Sequence, residues 1–312
     1  MKYVFWAVIG ALLLVQALAY VTWRIALYSP HKGQGDDHRL SDTDQVRPLA
    51  PAIHRMIDEV NAIPYELCEI VSFDGLKLTG RYYSTEEGAP VAICFHGYRG
   101  TPSRDFSGGT HLYRKAGLNL LMVDQRAHGQ SEGHAITLGV RERRDCLSWI
   151  AYAAERFGAD RKLMLAGISM GAATVLMASG MPLPKSVRGI VADAPYTTPR
   201  AITLCVAKSL HLPPHPVWWL LRLGSWLYAG ASLSDREANA AEAAARSSVP
   251  ILLLHGEDDR LVPCDMGRAI AAAAPKTVEL HTFAHAGHGL SCPTDPVRYE
   301  RIVRAFLTKT LE

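Results

Sequence analysis

Six short apolar runs recur along the chain between helical stretches: PVAICFHG from residue 90, LNLLMVD from 118, KLMLAGIS from 162, VRGIVAD from 187, VPILLLHG from 249 and TVELHTF from 277. A half-wet strand alternates polar with apolar residues, and most of these runs do not. That predicts parallel strands buried on both faces. Helical patterns near residues 103–116, 140–157, after Gly171, 265–274 and 296–310 fill the intervals. The expected fold is therefore α/β, a mostly parallel, doubly wound sheet. Ahead of it, ELCEIVSFDGLKLTGRYYS alternates around Asp74-Gly75, the signal of an antiparallel hairpin with a two-residue turn and two edge strands. Residues 197–248 interrupt the pattern with helical character and no strand, and are placed as a helical cap inserted in a domain spanning 52–312.

The amino-terminal segment is of another kind. Tyr3 to Trp23 carries no charge and is long enough to cross a hydrocarbon core at about 1.5 Å per residue. Lys2 and Arg24 flank it, with Tyr3, Trp6, Tyr20 and Trp23 near its ends, where aromatic rings favour the membrane interface. Residues 1–28 are read as an uncleaved single-pass anchor. A cleaved signal peptide is the rival, since Ala17-Leu18-Ala19 is a small-x-small site. Lys2 and the amino terminus stand against Arg24, Lys32 and Arg39, too even a balance to orient the helix; an extracytoplasmic catalytic domain is the expectation. Residues 29–51, rich in Gly, Asp, His and Pro, are expected as a solvated linker.

Charge excludes one partner class. With 33 basic against 30 acidic residues and no basic cluster interleaved with aromatics, nothing points to nucleic acid. Six scattered cysteines without a C-x-x-C pair argue against a zinc ribbon or a disulfide framework. His281, His285 and His288 lack a helical H-E-x-x-H frame, so no metal or organic cofactor is expected.

Chemistry concentrates at the strand ends. Gly167-Ile168-Ser169-Met170-Gly171 lies between an apolar strand and an Ala-rich helix, the setting that a nucleophile elbow requires. A serine hydroxyl needs a base, and that base an orienting acid. Downstream, HGEDDRLVP offers Asp259 and FAHAGHG offers His288, in the chain order expected for this fold. Asp258 and Asp193 compete for the acid, and His285 for the base. The backbone N–H groups of Met170 and of Tyr98, in FHGYRG, are expected as oxyanion donors. His96 reads as a hydrogen-bonding residue at a strand end. Arg99 is a surface charge or meets an acidic group of the substrate.

SFDGLKLTGRYY, FHGYRG, DQRAHGQSEG, GISMGAATVLMASG, IVADAPYTTPRAI, HGEDDRLVP and GHGLS together resemble the bacterial α/β-hydrolases with an N-terminal membrane segment, relatives of the serine aminopeptidase-like and prolyl-oligopeptidase-like hydrolases. The resemblance covers roughly residues 52–310. It implies a serine hydrolase with Ser169, Asp259 and His288 as nucleophile, acid and base, and it implies no particular substrate. It also makes Asp124 and its RAHGQS loop a buttress of the nucleophile loop. One departure stands out: His285 occupies a position where relatives usually carry glycine.

In the cap, HLPPHPVWWLLRLGSWLY places Trp218, Trp219 and Trp226 where they would lie over the strand ends. They suit an apolar substrate pocket, ordinary packing of the cap, or contact with a bilayer. The function expected is hydrolysis of a small-molecule carboxylic ester through an acyl-enzyme. Peptidase and acyltransferase chemistry stand as alternatives, with a membrane-tethered binding protein behind them. The sequence does not fix an oligomeric state.

Overall fold

The predicted strands form because their side chains have nowhere else to go: β3 (Val91–Phe95), β4 (Asn119–Val123) and β7 (Ile251–Gly256) are buried at every residue. The computed structural model describes residues 1–29, 37–234, 236 and 238–312. In chain order, α1 (Lys2–Ala26), α2 (Ala50–Asn61), β1 (Glu66–Val71) and β2 (Lys77–Tyr83) precede β3, and α3 (Pro102–Asp105) and α4 (Ser107–Lys115) precede β4. Next come α5 (Glu142–Phe157), β5 (Leu163–Ile168), α6 (Met170–Ser179), β6 (Val187–Asp193), α7 (Pro199–Ser209), α8 (Pro214–Ala229) and α9 (Ala240–Ala245). After β7 the chain closes with α10 (Cys264–Ala273), β8 (Val278–Phe283), α11 (Ser291–Thr294) and α12 (Pro296–Leu311).

The sheet runs β1-β2-β4-β3-β5-β6-β7-β8, parallel from β4 to β8 and antiparallel at β1–β2 and β2–β4. This is the α/β-hydrolase order. The chain leaves β3 toward β4 and returns on its other side as β5, so a crevice opens at the carboxyl ends of β3 and β5. Two apolar layers cover the sheet: α5 and α6 with Trp149, Val175 and Leu176 on one face, α4 and α12 with Tyr113 and Phe306 on the other.

Three expectations are corrected. The hairpin turn spans Phe73–Gly75 and not two residues: Ser72 N–H bonds the Leu76 carbonyl, and Ser72 Oγ donates to Asp74 at 2.7 Å. Of the two hairpin strands only β1 is an edge strand, because β2 also pairs with β4. The expected linker is packed structure over its described part, residues 30–36 lying outside the described residues. Leu40, Val46 and Leu49 pack with Ile53, Ile57 and Leu290, and Gln45 donates to the Asp258 carbonyl at 3.0 Å.

The last turns of α1 belong to the domain. Ala19, Trp23 and Leu27 are buried, and Tyr28 forms a β-bridge with Ala135. The cap helix α8 lies against this end of α1, with Gly224 on Ala19 and Trp23 so tightly that a Cβ there would strike the Ala19 carbonyl. Trp218 and Leu221 face inward, whereas Trp219 and Trp226 are exposed.

Candidate functional site

Ser169 sits where β5 turns into α6, at φ 55° and ψ −114°. That backbone is strained for a residue with a side chain, and strain of this kind persists only where neighbours enforce it. Two glycines make the turn possible. A Cβ on Gly171 would collide with the Phe95 carbonyl oxygen of β3, and one on Gly167 would collide with the Gly171 carbonyl. The Ser169 N–H is held by the Asp193 carbonyl at 2.8 Å.

Loops after β7 and β8 bring the partners in. His288 Nε2 lies 2.8 Å from Ser169 Oγ, and His288 Nδ1 lies 2.7 Å from Asp259 Oδ2. Asp259 Oδ1 accepts the N–H groups of Leu261 and Val262 at 2.9 and 2.8 Å. Burial pushes the Asp259 carboxyl upward, but hydrogen bonds from His255 and His288 and the charge of His288 outweigh it, holding the group well below the usual carboxylate range. It is therefore ionised at neutral pH, as an orienter of imidazole must be.

The rivals go elsewhere. Asp258 and His285 face each other on the surface, Nδ1 to Oδ2 at 3.7 Å. Asp193 is buried, accepts from Ser291 Oγ at 3.0 Å and from Tyr299, and is raised to about 6 by burial. Its carboxylate is engaged with α11 and α12, not with His288. His281 turns to Glu279 at 2.8 Å, so the three histidines of this segment have three different carboxylate partners.

Tyr98 and Met170 lie on the two sides of Ser169. Met170 opens α6, whose first N–H groups have no partner within the helix. Gly97 passes so close that its Cβ would stand 3.3 Å from the Ser169 Cβ, and Tyr98, the next residue, lines the same cavity as Ser169. Side chains that the sequence did not single out hold this loop. The Asp105 carboxylate accepts the Gly97 N–H at 2.6 Å, and His128 Nε2 accepts the Arg99 N–H at 3.0 Å, fixing Arg99 at φ 50°. Burial, and next the neighbouring His96, lower the His128 pKa to about 3, so the ring is the neutral acceptor this bond needs. His96 accepts the Gln125 N–H at 3.1 Å, and Asp124 ties its own loop through Thr79 and Gln130.

A cavity of about 690 Å³ opens over Ser169 and His288. Its apolar wall is Leu40, Val46, Ile53, Met56, Phe106 and Leu290, and its rim carries Arg39, Arg99 and Arg104. Trp218 and Trp219 do not line it, which corrects their assignment to the pocket. Gly224 seats α8 against α1, turning Trp218 into the core and Trp219 to the outside. Arg99 does line the cavity, but its guanidinium donates to the Ile25 and Tyr28 carbonyls at 2.8 and 3.3 Å.

Comparison with known proteins decides the family. The model of the prolyl oligopeptidase family matches residues 105–312, two thirds of the chain. The chain belongs to that family. Among curated relatives, the uncharacterized protein YqkD of Bacillus subtilis is 24% identical over 199 residues, covering 63% of this chain and 64% of its own. The lysophosphatidylserine lipase ABHD12 of Danio rerio is 28% identical over 210 residues, covering 64% of this chain and 50% of its own. The chain thus spans less than two thirds of either relative. Among solved structures, the esterase Pf2001 of Pyrococcus furiosus superposes with a TM-score of 0.68 at 20% identity, over 92% of this chain and 99% of that one. Est1E of Butyrivibrio proteoclasticus, solved with ferulic acid, superposes at 0.60 with 18% identity, over 80% and 99%. Family and fold together make the protein an α/β-hydrolase.

Proposed function

We infer that the protein hydrolyses carboxylic esters with an apolar acyl group, using Ser169 as nucleophile, His288 as base and Asp259 as its orienter. The observation that carries this reading is the run of contacts from Ser169 Oγ through His288 to Asp259, opening on a cavity with one apolar wall. His288 takes the proton as Ser169 attacks the carbonyl carbon, and Asp259 stabilises the imidazolium. Tyr98 and Met170 N–H groups receive the oxyanion; removing one such donor in enzymes of this type costs about 10²–10³ in rate. His288 then returns the proton to the leaving alkoxide, and water, deprotonated by the same ring, cleaves the acyl-enzyme.

The acyl chain is assigned to the wall formed by Ile53, Met56 and Phe106. An aminopeptidase would instead need free carboxylates at the rim to seat an ammonium, but the rim is arginine-rich, Asp42 is paired with Arg47, and Asp105 is occupied by Gly97 and Arg104. The test uses the full chain in detergent with a fluorophosphonate probe and p-nitrophenyl esters of increasing length. Labelling that disappears in Ser169→Ala, with turnover rising beyond acetate, supports the reading. Turnover of aminoacyl anilides with none of esters would replace it with amide hydrolysis, and product analysis with an added alcohol separates transfer from hydrolysis.

A further inference from the structure

We propose that the outer face of α8 is a membrane-interface surface: Trp219, Arg222 and Trp226 rest in the headgroup region beside α1, so that the cavity opens at the bilayer and draws amphiphilic acyl esters from it. The surface assignment stands on the packing of α8 against α1 and on α1 as a membrane span; the substrate class rests on the hydrolase reading above.

α1 has 25 residues, its most apolar 18-residue stretch has a mean hydropathy of 2.2, and before Ala19 none of its side chains is buried. Among the described residues it is the one helix long and apolar enough to span a bilayer. If Tyr3–Trp23 fills the hydrocarbon, Ala19 lies about 6 Å inside its boundary, at about 1.5 Å per residue. Gly224 of α8 packs directly on Ala19 and Trp23, and the Tyr228 ring meets Tyr20 at 5.1 Å. With Tyr3–Trp23 across the hydrocarbon, these contacts carry α8 to the level of the last turns of α1, at the boundary between acyl chains and headgroups.

The composition of α8 suits that depth. Trp219, Arg222 and Trp226 follow one another at spacings of three and four and share an exposed face beside the buried one of Trp218, Leu221 and Ser225. Trp219 and Trp226 are 63% and 62% exposed, whereas Trp149 and Trp218, the other tryptophans outside α1, are buried. Indole rings favour the interface, and the Arg222 guanidinium, 5.4 Å from the Trp219 ring centroid, reaches headgroups from an apolar stem. Leu210 and Leu212, exposed in the turn before α8, extend the same surface. A second protein copy would demand an apolar counterpart; continuity with α1 favours lipid instead.

The active-site mouth lies at the same level. The Tyr98 hydroxyl donates to the Ala26 carbonyl at 2.5 Å, and Arg99 donates to that of Ile25 at 2.8 Å. Both residues line the cavity above Ser169. The end of the spanning helix is thus bonded to the loop that flanks the nucleophile, and an ester lying in the interface reaches Ser169 without crossing bulk water.

The test places the full chain in nanodiscs of palmitoyl-oleoyl phosphatidylcholine doped with phosphatidylcholine brominated at acyl carbons 6 and 7 or at 11 and 12. Tryptophan emission of wild type is compared with the Trp219→Phe/Trp226→Phe variant. The difference signal should be quenched at least twofold by the shallow bromines and less by the deep ones. A difference signal unquenched by either lipid, with Trp6 still quenched, overturns the proposal, as does a Trp219- and Trp226-dependent dimer. In the same discs, Trp219→Ser/Trp226→Ser should slow hydrolysis of a disc-borne long-chain ester five- to tenfold while a soluble short-chain ester turns over as before; equal rates on both overturn the delivery of substrate from lipid. If wild type hydrolyses neither ester, the hydrolase reading fails and quenching still decides the surface.

Discussion

Two walls enclose the cavity over Ser169, and they are built differently. The wall at the sheet edge is held by backbone: Gly167 and Gly171 admit the turn, the Asp193 carbonyl holds the Ser169 N–H, and Asp259 is fixed by two amides of its own loop. The opposite wall, from Arg39 to Met56, is held by side chains, through Gln45 on the Asp258 carbonyl, Asp44 on Arg260 and a small cluster around Ile57. Backbone constraints tolerate little change and side-chain packing tolerates much. The first wall therefore sets the chemistry and the second sets the substrate.

Substitution of the first wall should give the largest effects. Ser169→Ala is expected to lower kcat by about 10⁵–10⁶-fold with the fold retained, read from ester turnover and circular dichroism. Residual activity above a hundredth of wild type would move the nucleophile elsewhere. Asp259→Asn should cost about 10⁴-fold, since the amide leaves His288 in the wrong tautomer, whereas Asp193→Asn should cost less than tenfold because its carboxylate touches Ser291 and not His288. Comparable losses in the two variants would dissolve the distinction between orienter and buttress.

In the second wall, Met56→Trp should shift the ester chain-length optimum by two or more carbons and lower kcat/KM for long acyl groups by about 10–100-fold, the usual worth of one or two methylenes in an apolar pocket. A uniform loss at every length would mean that Met56 supports the fold and does not bound the substrate. The contrast between the walls also explains what the sequence could reveal. The mostly parallel α/β sheet was legible because it depends on local pattern, apolar runs between helical stretches, and so was the strand–turn–helix setting of Ser169, marked by the glycines that flank it. The wall at 37–56 was not. Its composition is that of a solvated linker, and its packing rests on partners more than 200 residues away, Asp44 with Arg260 and Gln45 with Asp258. The cap failed for a related reason: Trp218 and Trp219 are adjacent, so a helix must send them in different directions, and only the fit of Gly224 on Ala19 fixes which faces the core. Small residues on two apolar helices were the available signal. His128 and Asp105 act through backbone amides of a neighbouring loop, which no spacing discloses.

Asp193 sharpens the comparison through pH. Burial raises its pKa to about 6, above the ordinary value near 3.9, so the folded chain keeps this proton longer than the unfolded chain does. The stability it contributes is fully present below about pH 4 and is lost as pH rises toward 6, by an amount on the order of 2 kcal/mol. Asp193→Asn should remove that slope, and melts of the full chain in detergent at pH 4, 5, 6 and 7 should show its advantage growing and then levelling off. A constant offset at all four values would place the Asp193 carboxyl in its ordinary range.

The smallest effect expected lies at His285. The residue stands at φ 61°, a left-handed backbone that costs a residue with a Cβ about 1 kcal/mol and glycine nothing. Its side chain is exposed and pairs with Asp258 at 3.7 Å, a contact of little worth in solvent. His285→Gly should relieve the backbone while adding freedom to the unfolded chain, leaving a net gain below about 1 kcal/mol and a Tm rise of about 1–3 °C. A fall in Tm would show that the pair with Asp258 holds the loop, in which case the segment carrying His288 depends on side chains as the second wall does. A rise would show that the backbone accounts for it unaided, through the Asp258 N–H on the Ala286 carbonyl at 3.1 Å.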